Sequence, residues 1–198
     1  MNSKTFKEYY YFFGILFFGI IIRLYYSNYD SYWIDEQIAF FVSDPSLSLK
    51  ETITRSQNSD YSPFLYNIFL KFFFESFGYS PDIGRYFSVF VGSLSIVVLT
   101  QISFMISKKK SVFMAVFLSS FNIFLISYSA ETRAYSTIFL LSLINIYAFL
   151  YLFIFCKKNK LIIYSFPFSS LLMLLSHPFT ILIIVSEILF ILIDDIKK

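Results

Sequence analysis

Long apolar runs punctuated by lysine clusters are the first constraint on how this chain can fold. A membrane-crossing helix needs roughly 20 apolar residues. Residues 86–107 and 136–155 reach that length, and residues 9–22 and 112–127 come close. Residues 161–176 and 179–193 are shorter and are joined through Ser176-His177-Pro178, which reads as a tight turn between two spans. Short spans are accommodated where the bilayer thins or flanking side chains snorkel. Composition agrees: 57% of the residues are hydrophobic and 15% charged, against about half and about a quarter in a soluble domain. The 28 Phe and 16 Tyr suit lipid contact and the membrane interface. The expected architecture is an all-α polytopic membrane protein with one transmembrane domain over residues 1–198.

Charge placement sets the orientation. Lys4 and Lys7 precede the first apolar run, Lys108, Lys109 and Lys110 follow the second, Lys157, Lys158 and Lys160 follow the fourth, and Lys197 and Lys198 end the sequence. The positive-inside rule places all four groups in the cytoplasm. This holds only if an even number of spans separates them. Residues 63–77 are apolar and aromatic but carry Lys71 and Glu75. As a helix they would reach only ~22 Å at a rise of ~1.5 Å per residue, against a hydrocarbon core of roughly 30 Å. They are therefore read as an interfacial or re-entrant helix. About six spans result, with both termini cytoplasmic. The first span has no small-residue cleavage site after it and reads as an uncleaved anchor. Cys156 is the single cysteine, so no disulfide framework exists. The net charge of +3 sits with the cytoplasmic lysines and reports orientation, not nucleic-acid binding.

This topology collects the remaining charges on the outer face. The first outer loop, about residues 27–85, carries Asp35 and Glu36 and ends at Arg85. The second carries Glu131 and Arg133, and the third is the turn with His177. From Asp35 onward Ile38, Phe41 and Val42 recur at helical spacing, which predicts an interfacial helix. Asp35 in its first turn either caps the helix or serves chemistry. Neighbouring helix positions point about 100° apart, so Asp35 and Glu36 cannot both face one substrate. Glu131 and Arg133 form either a structural ion pair or part of a site, since ionisable groups at membrane depth mark function. Arg85 is an interface anchor or a phosphate ligand. His177 reads as a hydrogen-bonded turn residue, and one histidine alone makes no metal site. Glu187, deep in the last span, reads as a helix–helix hydrogen-bonding group.

Four segments together resemble the N-terminal part of a GT-C glycosyltransferase, similar to protein O-mannosyltransferases and lipid A aminoarabinose transferases. They are Trp33-Ile34-Asp35-Glu36, Tyr61-Ser62-Pro63-Phe64-Leu65-Tyr66, Phe77-Gly78-Tyr79-Ser80 followed by Arg85-Tyr86-Phe87-Ser88, and Tyr128-Ser129-Ala130-Glu131-Thr132-Arg133-Ala134-Tyr135. Phe64 stands where the family usually has a second proline, and the His or Lys often beside those prolines is absent. Such enzymes are longer, with further spans and usually a C-terminal region that helps bind substrates.

The resemblance implies transfer of a sugar from a polyprenyl-phosphate donor to a glycan, lipid or protein acceptor outside the cytoplasm, at the plasma (inner) membrane, with inversion. Asp35 would be the catalytic base with Glu36 beside it. Arg85, Glu131, Arg133, Tyr61 and His177 would bind substrate. A divalent metal ion held by Asp35 or Glu131 is compatible with it, although no ligand spacing demands one. The alternatives are a non-catalytic polyprenyl-phosphate-binding or scaffold protein and, third, a transporter. The placement of all charges but Glu187 near the membrane surface counts against transport.

Overall fold

The computed structural model describes residues 3–29, 31–59, 64–107 and 109–196. All regular structure among them is helical. The first helix, α1 (Ser3–Ser27), is followed by three short helices, α2 (Ile34–Val42), α3 (Leu49–Ser59) and α4 (Leu65–Phe77). Then come α5 (Pro81–Ile106), α6 (Lys109–Phe121), α7 (Ile123–Ala130) and α8 (Tyr135–Phe149), the last prolonged by a π-helical turn (Leu150–Ile154). The chain closes with α9 (Lys160–Leu174), a 3₁₀ turn (Pro178–Thr180) and α10 (Ile181–Ile196).

Two of these helices are long and apolar enough to cross a membrane, Pro81–Ile106 and Tyr135–Ile154. A third emerges if the bent pair Ser111–Phe121 and Ile123–Ala130 counts as one span. Three shorter apolar helices, Phe12–Ser27, Lys160–Leu174 and Pro178–Ile193, complete the set. The turn expected at His177 separates the last two. The single span expected over residues 112–127 is instead broken, with a 47° bend. Asn122 makes the break: its side-chain oxygen accepts from Phe124 N–H (3.0 Å) and Leu125 N–H (3.1 Å), starting a new helix inside the apolar run.

Helix α5 is the central post, packed against α1, α6, α7 and α8, while α9 lies on α8. The contacts are close because small residues line them. A side chain added to Gly92 would sit 2.5 Å from Ser129 Cβ, and one added to Gly19 would sit 2.9 Å from Ser120 Cβ. Buried amides supply the polar contacts. Asn145 Nδ2 lies 3.0 Å from Ser169 Oγ, 2.8 Å from Ser170 Oγ and 3.2 Å from the Phe166 carbonyl, joining α8 to α9. Helix α10 packs chiefly against α9 and the turn before it.

The short helices fold onto the end of α5. Gly78 ends α4 at φ 109°, a conformation that disfavours any side chain. Ser80 then caps α5, its hydroxyl accepting from Ile83 N–H, with Pro81 in the first turn. Phe40 of α2 stacks on Tyr79 at 4.0 Å and meets Phe74 edge-on at 5.5 Å. Lys71 is buried; it donates to the Pro45 carbonyl (2.7 Å) and pairs with Glu75 (2.8 Å). Helix α4 thus forms the separate helix expected for residues 63–77, with Leu70, Lys71 and Phe74 turned inward.

The glycine contacts give a direct test. Gly92→Ala forces α5 and α7 apart and should cost about 1–3 kcal/mol. Gly14→Ala, where nothing lies within 4 Å of the added carbon, should gain about 0.5–1 kcal/mol. Thermal unfolding of the purified chain in detergent measures both, and the reverse order would contradict the packing described.

Candidate functional site

The cluster of charged side chains is built around α2. The cap position of this helix is Trp33, and the third helical residue, Glu36, turns back so that its Oε2 accepts from Trp33 N–H at 3.3 Å. Asp35 is therefore not the capping residue. The same turn rotates Glu36 into the protein, where it is fully buried, and leaves the Asp35 side chain about one-third exposed. The 100° offset between the two carboxylates is realised as one facing in and one facing out.

Glu36 meets Arg85 in a bidentate pair, Nε to Oε1 at 2.9 Å and Nη2 to Oε2 at 2.6 Å. Oε1 also accepts from the Thr132 N–H at 2.8 Å. Arg85 Nη1 donates to the Ser27 carbonyl (2.8 Å) and Nη2 to the Ser31 carbonyl (3.1 Å). Gly84 makes the arrangement possible: any side chain there would lie 2.8 Å from Thr132 Cγ2 and push away the loop that supplies the Thr132 N–H. The expectation of Arg85 as a phosphate ligand and of Glu36 as a catalytic group meets a different arrangement. The two are locked to each other below the surface, because a carboxylate and a guanidinium this deeply buried each need the other's charge.

Arg133 reaches over this pair to Asp35. Its Nη2 lies 3.9 Å from Asp35 Oδ2, and its Nη1 donates to the Asp35 carbonyl at 3.3 Å. The Arg133 side chain is mostly buried, and its guanidinium lies 6.0 Å from the Tyr135 ring. Glu131 is half-buried at the end of α7, with its carbonyl accepting from Arg133 N–H at 2.8 Å. Tyr32 and Tyr66 line the layer beneath. Burial pushes the Tyr32 phenol up to about 12 and raises that of Tyr66 as well, so both remain protonated donors at neutral pH. Tyr32 lies beside Thr132 and Tyr66 beside Ser88, each pair placing two buried hydroxyls next to one another.

His177 is the turn residue expected: its Nδ1 accepts from Phe179 N–H at 3.3 Å and starts the 3₁₀ turn. The Leu65 N–H donates to the Leu175 carbonyl at 3.1 Å, which brings the His177 turn to the start of α4. Tyr61 lies outside the described residues. Among the described residues no three His, Cys, Asp or Glu side chains gather as metal ligands. Asp35 faces the Arg133 guanidinium, so the donor set there does not fit a metal. Glu187 is buried, and among the described residues neither of its carboxylate oxygens has a partner, so the helix–helix hydrogen bond expected of it is not made there. Arg23 is the buried charge that the sequence reading passed over. One available signal was its place inside an apolar helix, where an arginine needs a partner.

No protein-family profile, no curated protein and no solved structure matches the chain.

The buried pair predicts its own energetics. Glu36→Gln and Arg85→Met should each destabilise the fold by about 3–5 kcal/mol, because each leaves the other charge stranded. The double variant should lose much less than the sum. Additive losses, measured by denaturation of the three variants, would show that the pair is not coupled.

Proposed function

We propose that this chain is the membrane-embedded core of a glycosyltransferase that takes a sugar from a polyprenyl-phosphate donor on the extracytoplasmic face. The observation that carries this reading is the Asp35–Arg133 pair. It sets a partly exposed carboxylate 3.9 Å from a guanidinium, on a base fixed by the buried Glu36–Arg85 pair. Transfer of this kind needs a general base and a cation for the departing phosphate at one site, and for an inverting displacement the pair must part to admit the reacting sugar between them. The order of the four segments that resemble GT-C enzymes supports the same assignment.

Six spans with both termini cytoplasmic complete the proposal. Its support is the apolar exterior: Phe13, Phe17, Phe90, Phe124, Tyr164 and Leu182 are all more than half exposed. In water such a surface would be an aggregation liability; in lipid it is the expected solvent-facing side.

In the proposed reaction, an acceptor hydroxyl or amine attacks the anomeric carbon of the donor sugar. The bond from that carbon to the phosphate oxygen breaks, and the polyprenyl phosphate leaves with the electron pair. Asp35 takes the acceptor proton. Arg133 stabilises the charge gathering on the phosphate, the part that sequence resemblance gave to Arg85. One displacement inverts the anomeric centre without a covalent sugar–enzyme intermediate.

A second reading has one observation in its favour. Arg85, the family-like phosphate ligand, is committed to Glu36 and two carbonyls. A chain that binds a lipid carrier or scaffolds a partner without turnover fits that commitment.

Two experiments test the proposal, and the second separates the two readings. For topology, Cys156→Ser is combined with single cysteines. Ser59→Cys and Asp82→Cys should react with an impermeant thiol reagent in intact cells, and Ser111→Cys and Asn159→Cys should not; outside labelling at position 111 overturns the six-span arrangement. For chemistry, Asp35→Asn in cell membranes carrying the chain should lower sugar transfer by roughly 100-fold or more with donor binding nearly unchanged. Arg133→Ala should weaken both. A wild-type rate in the Asn variant removes Asp35 from the chemistry, and donor binding without any transfer by the wild-type chain supports the scaffold reading instead.

A further inference from the structure

Arg23 lies one helical turn before Ser27, about 6 Å deeper along α1 at ~1.5 Å per residue, and it is buried to 1% exposure. Its bonds go to the helix break. Nη1 donates to the carbonyls of Gly19 (3.0 Å) and Ser120 (2.9 Å), and Nη2 donates to that of Ser119 (2.9 Å). A guanidinium has five N–H donors. Three are used, which leaves Nε–H and one N–H of Nη2 without partners among the described residues. Nε and Nη2 share one edge of the guanidinium, the edge that can grip an oxyanion with two parallel hydrogen bonds.

All three partners of Arg23 are neutral carbonyls. Among the described residues no carboxylate lies within ion-pair distance of it. A buried cation satisfied only by dipoles carries a large desolvation cost. Holding the broken helix requires donors but no net charge, so the charge itself is unexplained by the fold. Arg23 also lines a cavity of about 120 Å³ with Ile96, Leu125, Tyr128, Tyr135 and Phe139. That leaves room for a carboxylate or phosphate head. Ser119 and Ser136 join Arg23 and the two phenols as its polar members, and the rest of the wall is apolar.

We infer that the Arg23 cavity binds the oxyanion head of a lipid, a carboxylate or a phosphate, between α1, α5, α7 and α8. The head takes the free fork of Arg23 and supplies the missing counter-charge. The acyl chain continues along the apolar walls. This site is separate from the Asp35–Arg133 cluster and does not depend on sugar transfer. It does rest on the membrane reading of the helices.

The test uses the purified full chain in detergent, with oleate, decyl phosphate, oleyl alcohol and inorganic phosphate as probes in equilibrium binding. Oleate and decyl phosphate should saturate. Oleyl alcohol should bind at least about tenfold more weakly, for want of the charge-assisted fork. Saturable binding of inorganic phosphate alone would show an anion site with no lipid component and overturn the proposal. Arg23→Lys keeps the charge but loses the fork, and should weaken oleate by at least about tenfold. Arg23 also holds the helix break, so Leu125→Trp provides a second variant that fills the cavity and leaves Arg23 intact. It should lose oleate binding at a melting temperature like that of the wild type. Wild-type oleate affinity in both variants, or equal affinity for oleate and oleyl alcohol, overturns the site. Flotation of the wild-type chain with phosphatidylcholine vesicles keeps the two readings distinguishable. Flotation without oleate binding defeats this site alone, and failure to float defeats the membrane reading along with it.

Discussion

Taking a carboxylate and a guanidinium out of water costs several kcal/mol per ion, and only excellent mutual geometry offsets it. Glu36 and Arg85 meet that demand with two parallel hydrogen bonds and spend the remaining donors and acceptors on backbone groups. Those backbone groups come from four places: the end of α1, the segment before α2, the cap of α2 and the loop after α7. A single pair thereby fixes where the first helix ends and how α2 is rotated. It also fixes how close the Thr132 loop comes to α5. The position of Asp35 follows from this. With Glu36 forced inward, the preceding residue is turned about 100° away toward the surface, where Arg133 meets it.

The rest of the bundle is organised on the same principle, with polarity inside and apolar side chains outside. Serines, Asn145 and Arg23 are buried, while phenylalanines and leucines cover the exterior. In a bilayer, packing could not draw on exclusion of water between helices, because the outer solvent would be as apolar as the side chains, and close approach and hydrogen bonding would take over. Gly19 and Gly92 bring α1 and α5 against the serines of α6 and α7, and Asn145 bonds across to α9. The break at Asn122 is tolerated for the same reason: two of the carbonyls that precede it, Ser119 and Ser120, receive the guanidinium of Arg23.

Hydropathy made the apolar helices legible in the sequence, and the Ser176-His177-Pro178 signal placed the turn between the last two. The break inside residues 112–127 was not legible that way, because Asn122 is one polar residue in an apolar run and hydropathy averages it out. Its capping chemistry after Ser119-Ser120 was the available signal. The site was half legible. Sequence identified Asp35, Glu36, Arg85 and Arg133 as the charges of one face. It could not decide which carboxylate turns inward, since that depends on Arg85, which lies 49 residues from Glu36 along the chain. The spacing from Trp33 to Glu36 does carry a local hint, the reach of a third-position glutamate back to the cap. The acceptors of Arg23 are backbone carbonyls, which leave no mark in a sequence, so only its place inside an apolar helix could signal it.

The three arginines differ in how completely the fold satisfies them, and this difference bears on function. Arg85 is matched by a carboxylate and closed in, so its charge is consumed in building the cluster. Arg133 shares a partly exposed carboxylate, so its charge is less completely enclosed than that of Arg85. Arg23 is saturated geometrically on three of its donors but not electrostatically, since carbonyls offer dipoles and no opposite charge. In a medium of low dielectric constant, unsatisfied charge is the costliest thing a fold can retain. Where packing alone gives no reason to keep it, a ligand that completes it is the simplest physical account.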